Sequence, residues 1–186
     1  MSATPHPQQL HRRPIVADLI TPDELRFDRL LDAPIDTVWR WLVEPELRAR
    51  WFMAGPTEPR VGGKFGMTFA HENLSDGDVP TPERFAKNAG ASWHETITRY
   101  EPPHALAFSW SGGKAGEVTF TLAREGDRTR LTLVHTRLRG AEDARNFGGG
   151  WLSHLAVLEA RLAGRPVPDF WAIHAEKEAE AAAAVG

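Results

Sequence analysis

Two histidines in the chain are each followed directly by a glutamate, as His71–Glu72 and His94–Glu95. An imidazole held next to a carboxylate can carry out general acid–base catalysis or bind a metal ion. Both dipeptides fall in segments predicted to be strands, where adjacent side chains point to opposite faces, so neither is expected to form a dyad. His94–Glu95 also lacks the second histidine of an H-E-x-x-H zinc motif. We therefore predict no metal site and no bound cofactor.

Glycine-rich runs are the next candidates, because their backbone N–H groups can bind phosphate. Residues 62–64 and 112–114 each read Gly-Gly-Lys, but both lack the spacing and the Lys-Ser/Thr ending of a P-loop. Residues 148–150 are three glycines before a predicted helix, whose N-terminus could bind an anion. A close approach of two backbones, or a hinge, is the simpler explanation of these glycines. No G-x-S-x-G motif of a serine hydrolase is present in the sequence.

His135 is the polar residue of greatest interest, because it shares the parity of Leu131 and Leu133 along a predicted strand. That parity points its imidazole toward the apolar face. A buried polar group without a hydrogen bond costs about 1–3 kcal/mol, so a partner is expected. His135 is either a structural histidine bonded to a backbone group or a polar group in the wall of a ligand pocket. The same two interpretations apply to His71, which shares the parity of Phe69.

Two further polar residues lie close to apolar patterns. Arg29 shares the parity of Phe27 and Leu31, so an inward guanidinium would need a carboxylate partner or the acid group of a ligand. His154 lies beside the apolar stripe of a predicted helix and could face toward the core or away from it.

The elements that position these residues follow from the spacing of apolar side chains. Residues 24–31 alternate as a strand, and two short helices are predicted after it, separated at Glu44–Pro45. Residues 65–71 alternate as a second strand, and residues 72–91 form a long polar loop. Four further strand patterns, joined by short turns, indicate an antiparallel meander and cover residues 92–101, 105–111, 117–124 and 128–137.

An amphipathic helix follows the strands. Trp151, Leu155, Leu158 and Leu162 recur at helical spacing, and Gly164 ends the pattern. Residues 169–185 are rich in Ala and Glu, which predicts a further helix with a frayed or dangling polar end. Because a sheet with one apolar face must be covered, the long helix is expected to pack across it.

The composition excludes several classes of protein. The chain has 186 residues, the size of one domain, and we divide it into an N-terminal arm (1–22), a domain (23–164) and a partly helical C-terminal extension (165–186). It has no cysteine, which excludes disulfides, thiolate zinc sites and cysteine nucleophiles. The net charge of −3 is too balanced to indicate nucleic-acid binding. No apolar run approaches the about 20 residues of a membrane span, so we expect a cytoplasmic protein with no membrane partner.

A set of short motifs occurs in a fixed order over residues 24–164. The set comprises Asp32-Ala33-Pro34, Val38-Trp39, Glu44-Pro45-Glu46-Leu47, Arg50-Trp51-Phe52, Val61-Gly62-Gly63-Lys64-Phe65, Glu101-Pro102-Pro103, Leu106-Ala107-Phe108-Ser109-Trp110, Thr129-Arg130-Leu131-Thr132-Leu133, His135, and Gly150-Trp151 with Leu155 and Leu158. Together these motifs resemble the activator-of-heat-shock-ATPase-like branch of the SRPBCC superfamily. The resemblance implies an α+β, START-like helix-grip fold: a curved antiparallel sheet wraps around a long C-terminal helix, two short helices follow the first strand, and a cavity lies between sheet and helix.

The resemblance does not supply a chemistry, because the superfamily includes lipid and hormone carriers, polyketide cyclases and dehydratases, and a co-chaperone domain. We expect a domain that binds or carries an apolar small molecule, which needs only a cavity and a few polar anchors. A cyclase or dehydratase would also need an acid–base group, such as His135, His71 or His94, near a carboxylate. Regulation of a chaperone ATPase ranks lowest, since the eukaryotic co-chaperone has an additional N-terminal domain that residues 1–22 cannot supply. Whether any substrate is turned over stays open.

The cavity wall is expected to be built from apolar and polar residues that share the inward parity. The candidates are Arg29, Trp51, Phe65, Met67, Phe69, His71, Phe108, Trp110, Phe120, Leu133, His135, Trp151, His154 and Leu155. The long loop could form a lid over the entrance. The apolar cluster of Phe170, Trp171 and Ile173 packs either on its own domain or on a second subunit, which makes a homodimer a possibility to test.

Overall fold

The computed structural model describes residues 17–186, which form one sheet and five helices. Strands β1 to β7 are Leu19–Ile20, Glu24–Leu31, Lys64–Thr68, Ser92–Glu101, Ala105–Ser109, Glu117–Glu125 and Arg128–Thr136. Helices α1 to α5 are Ile35–Val43, Pro45–Arg48, Glu83–Ala86, Ala141–Leu162 and Phe170–Val185, and a 3-10 turn covers His71–Asn73. Residues 1–16 of the expected N-terminal arm lie outside the described residues. Residues 19 and 20 of that arm pair with β2.

The sheet is antiparallel, with its strands in the order β1-β2-β7-β6-β5-β4-β3. The inward apolar side chains of β2 and β7, among them Phe27 and Leu133, are fully buried, because successive residues of a strand point to opposite faces. A register shift between Ile97 and Arg99 interrupts the pairing of β4 with β5, and irregularities of this kind bend a strand. Helix α4 covers the apolar face. The predicted α+β helix-grip fold, with two short helices after the first long strand, is confirmed.

Helix α4 starts at Ala141, well before the start predicted at Trp151. Residues 148–150 therefore lie inside the helix and cannot bind an anion at its N-terminus. The structure supports the close approach of two backbones instead, since a Cβ added to Gly149 would lie 2.9 Å from Cα of Glu178 in α5. Sequence patterns placed the start too late because glycine lowers helix propensity.

Helix α5 packs along α4, so the C-terminal segment is not the dangling end that was expected. Asp169 caps α5 by accepting a hydrogen bond from the backbone N–H of Ala172 (3.0 Å). Ala181, near the C-terminal end, is fully buried and lies over Gly148. Gly148 and Gly149 of α4 allow α5 to approach closely, and a close approach of two helices leaves no periodic signal in the sequence.

Strand β3 ends at Thr68, so His71 is not part of the strand that was predicted over residues 65–71. Phe69 leaves the ladder and exchanges backbone hydrogen bonds with Gly90 and Ala91 instead (both 2.9 Å). The chain then turns, which buries His71 and leaves Glu72 exposed. Residues 69–91 connect β3 to β4 and contain the 3-10 turn and the short helix α3.

Candidate functional site

A cavity of about 490 Å³ lies between α4, α5 and the strand ends of β3, β4 and β5. This volume is in the range of pockets that bind small molecules, about 300–1,000 Å³. Most of its wall is made of aromatic and imidazole rings. The lining residues are Phe52, Met53, Phe69, His71, Phe85, Asn88, Ala91, Trp93, Glu95, Trp110, Ser111, Asn146, Phe147, Gly150, Trp151, His154, Phe170, Trp171 and His174.

One wall is the face of α4 that carries Phe147, Trp151 and His154. These residues are spaced at i, i+4 and i+7, which places them on the same side of a helix. The indole of Trp151 stacks on Phe52 with 5.0 Å between ring centroids, and it meets Trp110 at 5.4 Å. Trp151 is 2% exposed, so its contacts with Phe52 and Trp110 fix this wall before any ligand enters.

A second wall comes from the beginning of α5 and from the loop. Phe85 of α3 stacks on Trp171 of α5 with ring centroids 4.9 Å apart and planes at 16°. Arg84 and Glu178 form a two-pronged ion pair at 3.0 and 2.7 Å between the same two helices. We refer to residues 83–91, which include α3, as the flap. The flap is therefore attached to α5 at the side of the cavity.

His154 has a defined protonation pattern. Its Nδ1 lies 2.8 Å from the backbone carbonyl oxygen of Trp51, and a carbonyl only accepts hydrogen bonds, so Nδ1 carries the hydrogen. Burial lowers the pKa of His154 to about 4, which keeps the imidazole neutral near pH 7. Nε2 of the neutral ring is then a lone-pair acceptor.

His174 has the same tautomer for a different reason. The hydroxyl of Ser153 donates its one hydrogen to the carbonyl oxygen of Gly149 (2.5 Å). Nδ1 of His174 lies 3.1 Å from that hydroxyl oxygen and must donate to it. Burial lowers the pKa of His174, so its Nε2 is also an acceptor in the neutral state.

His71 lies between rings on several sides. Its imidazole stacks on Phe69 with 3.7 Å between centroids, and it meets His154 edge-to-face at 5.1 Å. Burial, together with the nearby His154 and His174, lowers its pKa to about 2. Nδ1 of His71 is buried and has no hydrogen-bond partner within residues 17–186. The three imidazoles are thus neutral groups in an aromatic wall.

Glu95 is the one carboxylate among the described residues that line the cavity. Its oxygens accept hydrogen bonds from the hydroxyl of Ser109 (2.7 Å), from the backbone N–H groups of Ser111 and Gly112 (both 2.9 Å) and from the indole of Trp93 (3.3 Å). These neutral donors stabilise the carboxylate without removing its charge, and they hold the turn after β5. His94 lies on the other, exposed side of β4, so the predicted separation of this dipeptide is confirmed.

Five of the predicted cavity residues line the cavity: Phe69, His71, Trp110, Trp151 and His154. The other nine lie elsewhere. They are Arg29, Trp51, Phe65, Met67, Phe108, Phe120, Leu133, His135 and Leu155. Except for Arg29, all are buried in the core, where they pack against other side chains of the chain, as Phe65 does on Phe108 (4.3 Å between ring centroids) and Trp51 on Phe120 (6.2 Å).

His135 and Arg29 have protein partners that account for them. Nε2 of His135 donates to the carbonyl oxygen of Ala115 (2.8 Å), and Nδ1 accepts from the indole of Trp151 (3.1 Å), which supports the structural interpretation. Arg29 pairs with Asp18 (2.7 Å) and lies 3.6 Å from Glu159 on α4, so carboxylates of the chain, rather than a ligand acid, neutralise it.

Several wall residues were missed by reasoning from the sequence. Phe147 could have been found from the sequence, because it lies four residues before Trp151 and so continues the same apolar stripe of the helix. Phe170 and Trp171 were noted as an apolar cluster but were assigned to an extension outside the domain. Phe52, Phe85 and Trp93 had no signal, since they come from three separate segments that only the tertiary structure brings together.

The described part of the chain contains no group of three or more His, Asp or Glu side chains that could hold a metal ion. Among its helices, none combines the length and the apolar character that crossing a membrane requires. The apolar cluster that motivated the homodimer hypothesis packs on its own chain, where Phe170 is 1% exposed.

Comparison with known proteins gives the family. Residues 32–163 match the family model described as activator of Hsp90 ATPase homolog 1-like protein. The solution structure of the protein encoded by gene BPP1335 from Bordetella parapertussis is 36% identical, with a TM-score of 0.75 over 92% of this chain and 88% of that one. CalU16 from Micromonospora echinospora is 28% identical (TM-score 0.62, 87% of each chain). A search of curated proteins found no match. The chain belongs to the family of activator of Hsp90 ATPase homolog 1-like proteins.

Proposed function

We propose that this protein is a binding or carrier domain for an apolar small molecule held in the cavity between α4, α5 and the sheet. The observation that carries the proposal is the wall itself: a cavity of about 490 Å³ lined mainly by aromatic rings and by three neutral imidazoles. Pockets for small molecules are mostly apolar with a few placed polar groups. Burial of an apolar ligand contributes about 25 cal/mol per Å². A cytoplasmic location is part of this proposal, since a chain without cysteines fits a reducing compartment.

A cyclase or dehydratase is the second candidate, and the free Nε2 of His154 is the observation in its favour. An efficient general base has a pKa near the working pH, whereas burial lowers that of His154 to about 4. The carboxylate of Glu95 forms no hydrogen bond with a cavity histidine in the described structure, and four donors already occupy it. Binding without turnover therefore accounts for more of the site. Regulation of a chaperone ATPase would use an outer surface, for which the described residues give no specific support.

The first experiment is native mass spectrometry of protein purified without detergent, followed by denaturation and identification of the released molecules. A reproducible one-to-one adduct that is lost on denaturation is expected. A clean apo mass, with no shift against fatty acids, sterols and aromatic polyketides, would refute the carrier function.

A cavity-filling variant makes the test specific to this site. Gly150 lines the cavity, and a Cβ added there would meet no atom within 4 Å. We expect Gly150→Leu to fill part of the cavity and weaken ligand binding at least tenfold. The matched control Gly150→Ala adds a single methyl group and should bind almost as the wild type does. Equal binding by the wild type and Gly150→Leu would place the ligand elsewhere.

A further inference from the structure

The hydrogen-bonding capacity of the cavity narrows the chemical class of its ligand. The carbonyl oxygen of Trp51 fixes the hydrogen of His154 on Nδ1, and the hydroxyl of Ser153 fixes that of His174 on Nδ1. Both rings therefore present an unprotonated Nε2. Within residues 17–186, neither Nε2 has a hydrogen-bond partner, and neither is among the fully buried atoms that lack one. Since His154 is buried, its Nε2 reaches the cavity rather than bulk solvent.

His71 adds a group that suits a hydroxyl. Its Nδ1 is buried without a partner in the described residues, so a ligand can reach only Nε2. In one neutral tautomer Nε2 is a donor, and in the other it is an acceptor. A hydroxyl can serve either tautomer, because it both donates and accepts. The rings of His71 and His154 are in direct edge-to-face contact, with 5.1 Å between their centroids, so the two imidazoles form one continuous polar patch in the wall.

The charges around the cavity argue against an acidic ligand. No lysine or arginine is among the described residues that line the cavity. Its one carboxylate, Glu95, would repel an anion, and the three imidazoles stay neutral near pH 7. A buried carboxylate or phosphate group on the ligand would have no counter-charge, which is costly.

The shape of the wall favours flat rings. The stacked pairs Phe85–Trp171 and Phe52–Trp151 have planes within 30° of each other and line the cavity. Aromatic rings prefer offset-stacked or edge-to-face contacts with other rings, which contribute about 0.5–1.5 kcal/mol beyond area burial. An aliphatic chain of the same size would gain only the area term.

We propose that the cavity binds an uncharged, flat aromatic molecule with at least one hydroxyl or N–H group, and that this donor bonds to Nε2 of His154. The inference rests on the proposed function and specifies its ligand. If the ligand lacks the donor, Nε2 of His154 is shielded from water in the complex and has no hydrogen-bond partner, which weakens binding.

The test is isothermal titration calorimetry of the wild-type protein with matched probes. Naphthol carries the donor, methoxynaphthalene lacks it, naphthoate is an anion, and decanol is an aliphatic alcohol with as many carbons as naphthol. We expect naphthol to bind about tenfold more tightly than methoxynaphthalene, and more tightly than naphthoate and decanol. Equal affinity for naphthol and methoxynaphthalene would overturn the donor requirement but leave apolar binding intact. Tighter binding of decanol than of naphthol would refute the proposal that the ligand is aromatic. Tighter binding of naphthoate than of naphthol would refute the proposal that the ligand is uncharged. Failure of every probe would count against both the inference and the proposed function.

A substitution at His154 tests whether this residue provides the acceptor for the donor of the ligand. His154→Phe keeps a ring of similar size and removes the nitrogen, so the ratio of naphthol to methoxynaphthalene affinity should fall to about one. The same substitution at His94, which is exposed on the far side of β4, should leave the ratio unchanged. A ratio that persists in a folded His154→Phe protein would assign the contact to another residue. If that variant does not fold, the wild-type probe series still decides the donor requirement.

Discussion

The indole N–H of Trp151 donates to Nδ1 of His135 across 3.1 Å, and Nε2 of the same imidazole donates to the carbonyl oxygen of Ala115. This chain of bonds connects α4 to β7 and to the segment before β6. Every atom in it is buried. The imidazole therefore satisfies one donor and one acceptor that no water could reach.

Removing the imidazole should cost stability rather than affinity. His135→Ala leaves the Trp151 indole and the Ala115 carbonyl without partners and opens a void, so we expect a loss of about 3 kcal/mol in the free energy of unfolding. Urea denaturation of the wild type and of His135→Ala measures this difference in the free energy of unfolding. The exposed His104→Ala is the control and should change stability by less than about 0.5 kcal/mol. In a double-mutant cycle with Trp151→Phe, an interaction energy near zero would contradict the bond.

The tautomers of the buried histidines can be read by nitrogen NMR. We expect hydrogen on Nε2 in His135 and on Nδ1 in His154, because each of these nitrogens faces a carbonyl oxygen. A spectrum that shows the opposite tautomer for His154 would remove the acceptor on which the ligand assignment depends.

Acid should destabilise the fold through its buried histidines, among them the same two residues. Burial lowers both pKa values from about 6.5 to about 4. Between these values the unfolded chain binds protons that the native rings do not, so stability is full above about pH 6.5 and falls as the pH falls. The expected slope is at most about 1.4 kcal/mol per pH unit for each histidine. Urea titrations at several pH values measure it, and NMR shows which ring is protonated. Protonation of either ring in the native state above pH 6 would contradict this account.

Substitution of two neighbouring glycines of α4 by alanine should change the stability of the protein in opposite directions. Gly149→Ala places a Cβ 2.9 Å from the backbone of Glu178, so α5 must shift, and we expect a loss of about 1–3 kcal/mol. Gly150→Ala meets no atom within 4 Å and should stabilise the helix by about 0.5–1 kcal/mol. Thermal and urea unfolding compare the two. A gain in stability for Gly149→Ala would show that the two helices are less closely packed.

The ion pair between the flap and α5 should affect ligand exchange more than stability. Arg84→Ala removes an exposed pair, so the change in unfolding free energy should stay below about 1 kcal/mol. We expect ligand dissociation, measured by stopped flow, to become several-fold faster because the flap is then less firmly held. Arg99 forms a similar two-pronged pair with Glu101 away from the cavity and serves as the control. Equal dissociation rates in Arg84→Ala and the wild type would exclude the flap from the ligand's path.

The strands could be predicted because each buries one face, which leaves a period of two in the sequence. Leu131, Leu133 and His135 all lie on the predicted side and are fully buried. The position of the cavity could not be predicted in the same way. The sequence pattern of an inward residue is the same whether its side chain faces packed side chains or an open cavity. Phe108 is covered by core packing, whereas Trp110, two residues later on the same side, reaches the cavity. That difference depends on contacts between distant segments: Phe65 of β3 stacks on Phe108, whereas Trp110 lies against Trp151 of α4.

The tryptophans are distributed unevenly around the cavity. Of the seven in the chain, Trp93, Trp110, Trp151 and Trp171 line it, and Trp93 stands at 42% exposure. More than half of the tryptophan fluorophores of this protein therefore lie where a bound molecule would touch them. A bound ligand whose ring absorbs at the emission wavelength of tryptophan would quench this fluorescence by energy transfer. Occupancy of the cavity can therefore be followed from the intensity and wavelength of the intrinsic fluorescence, without any added label.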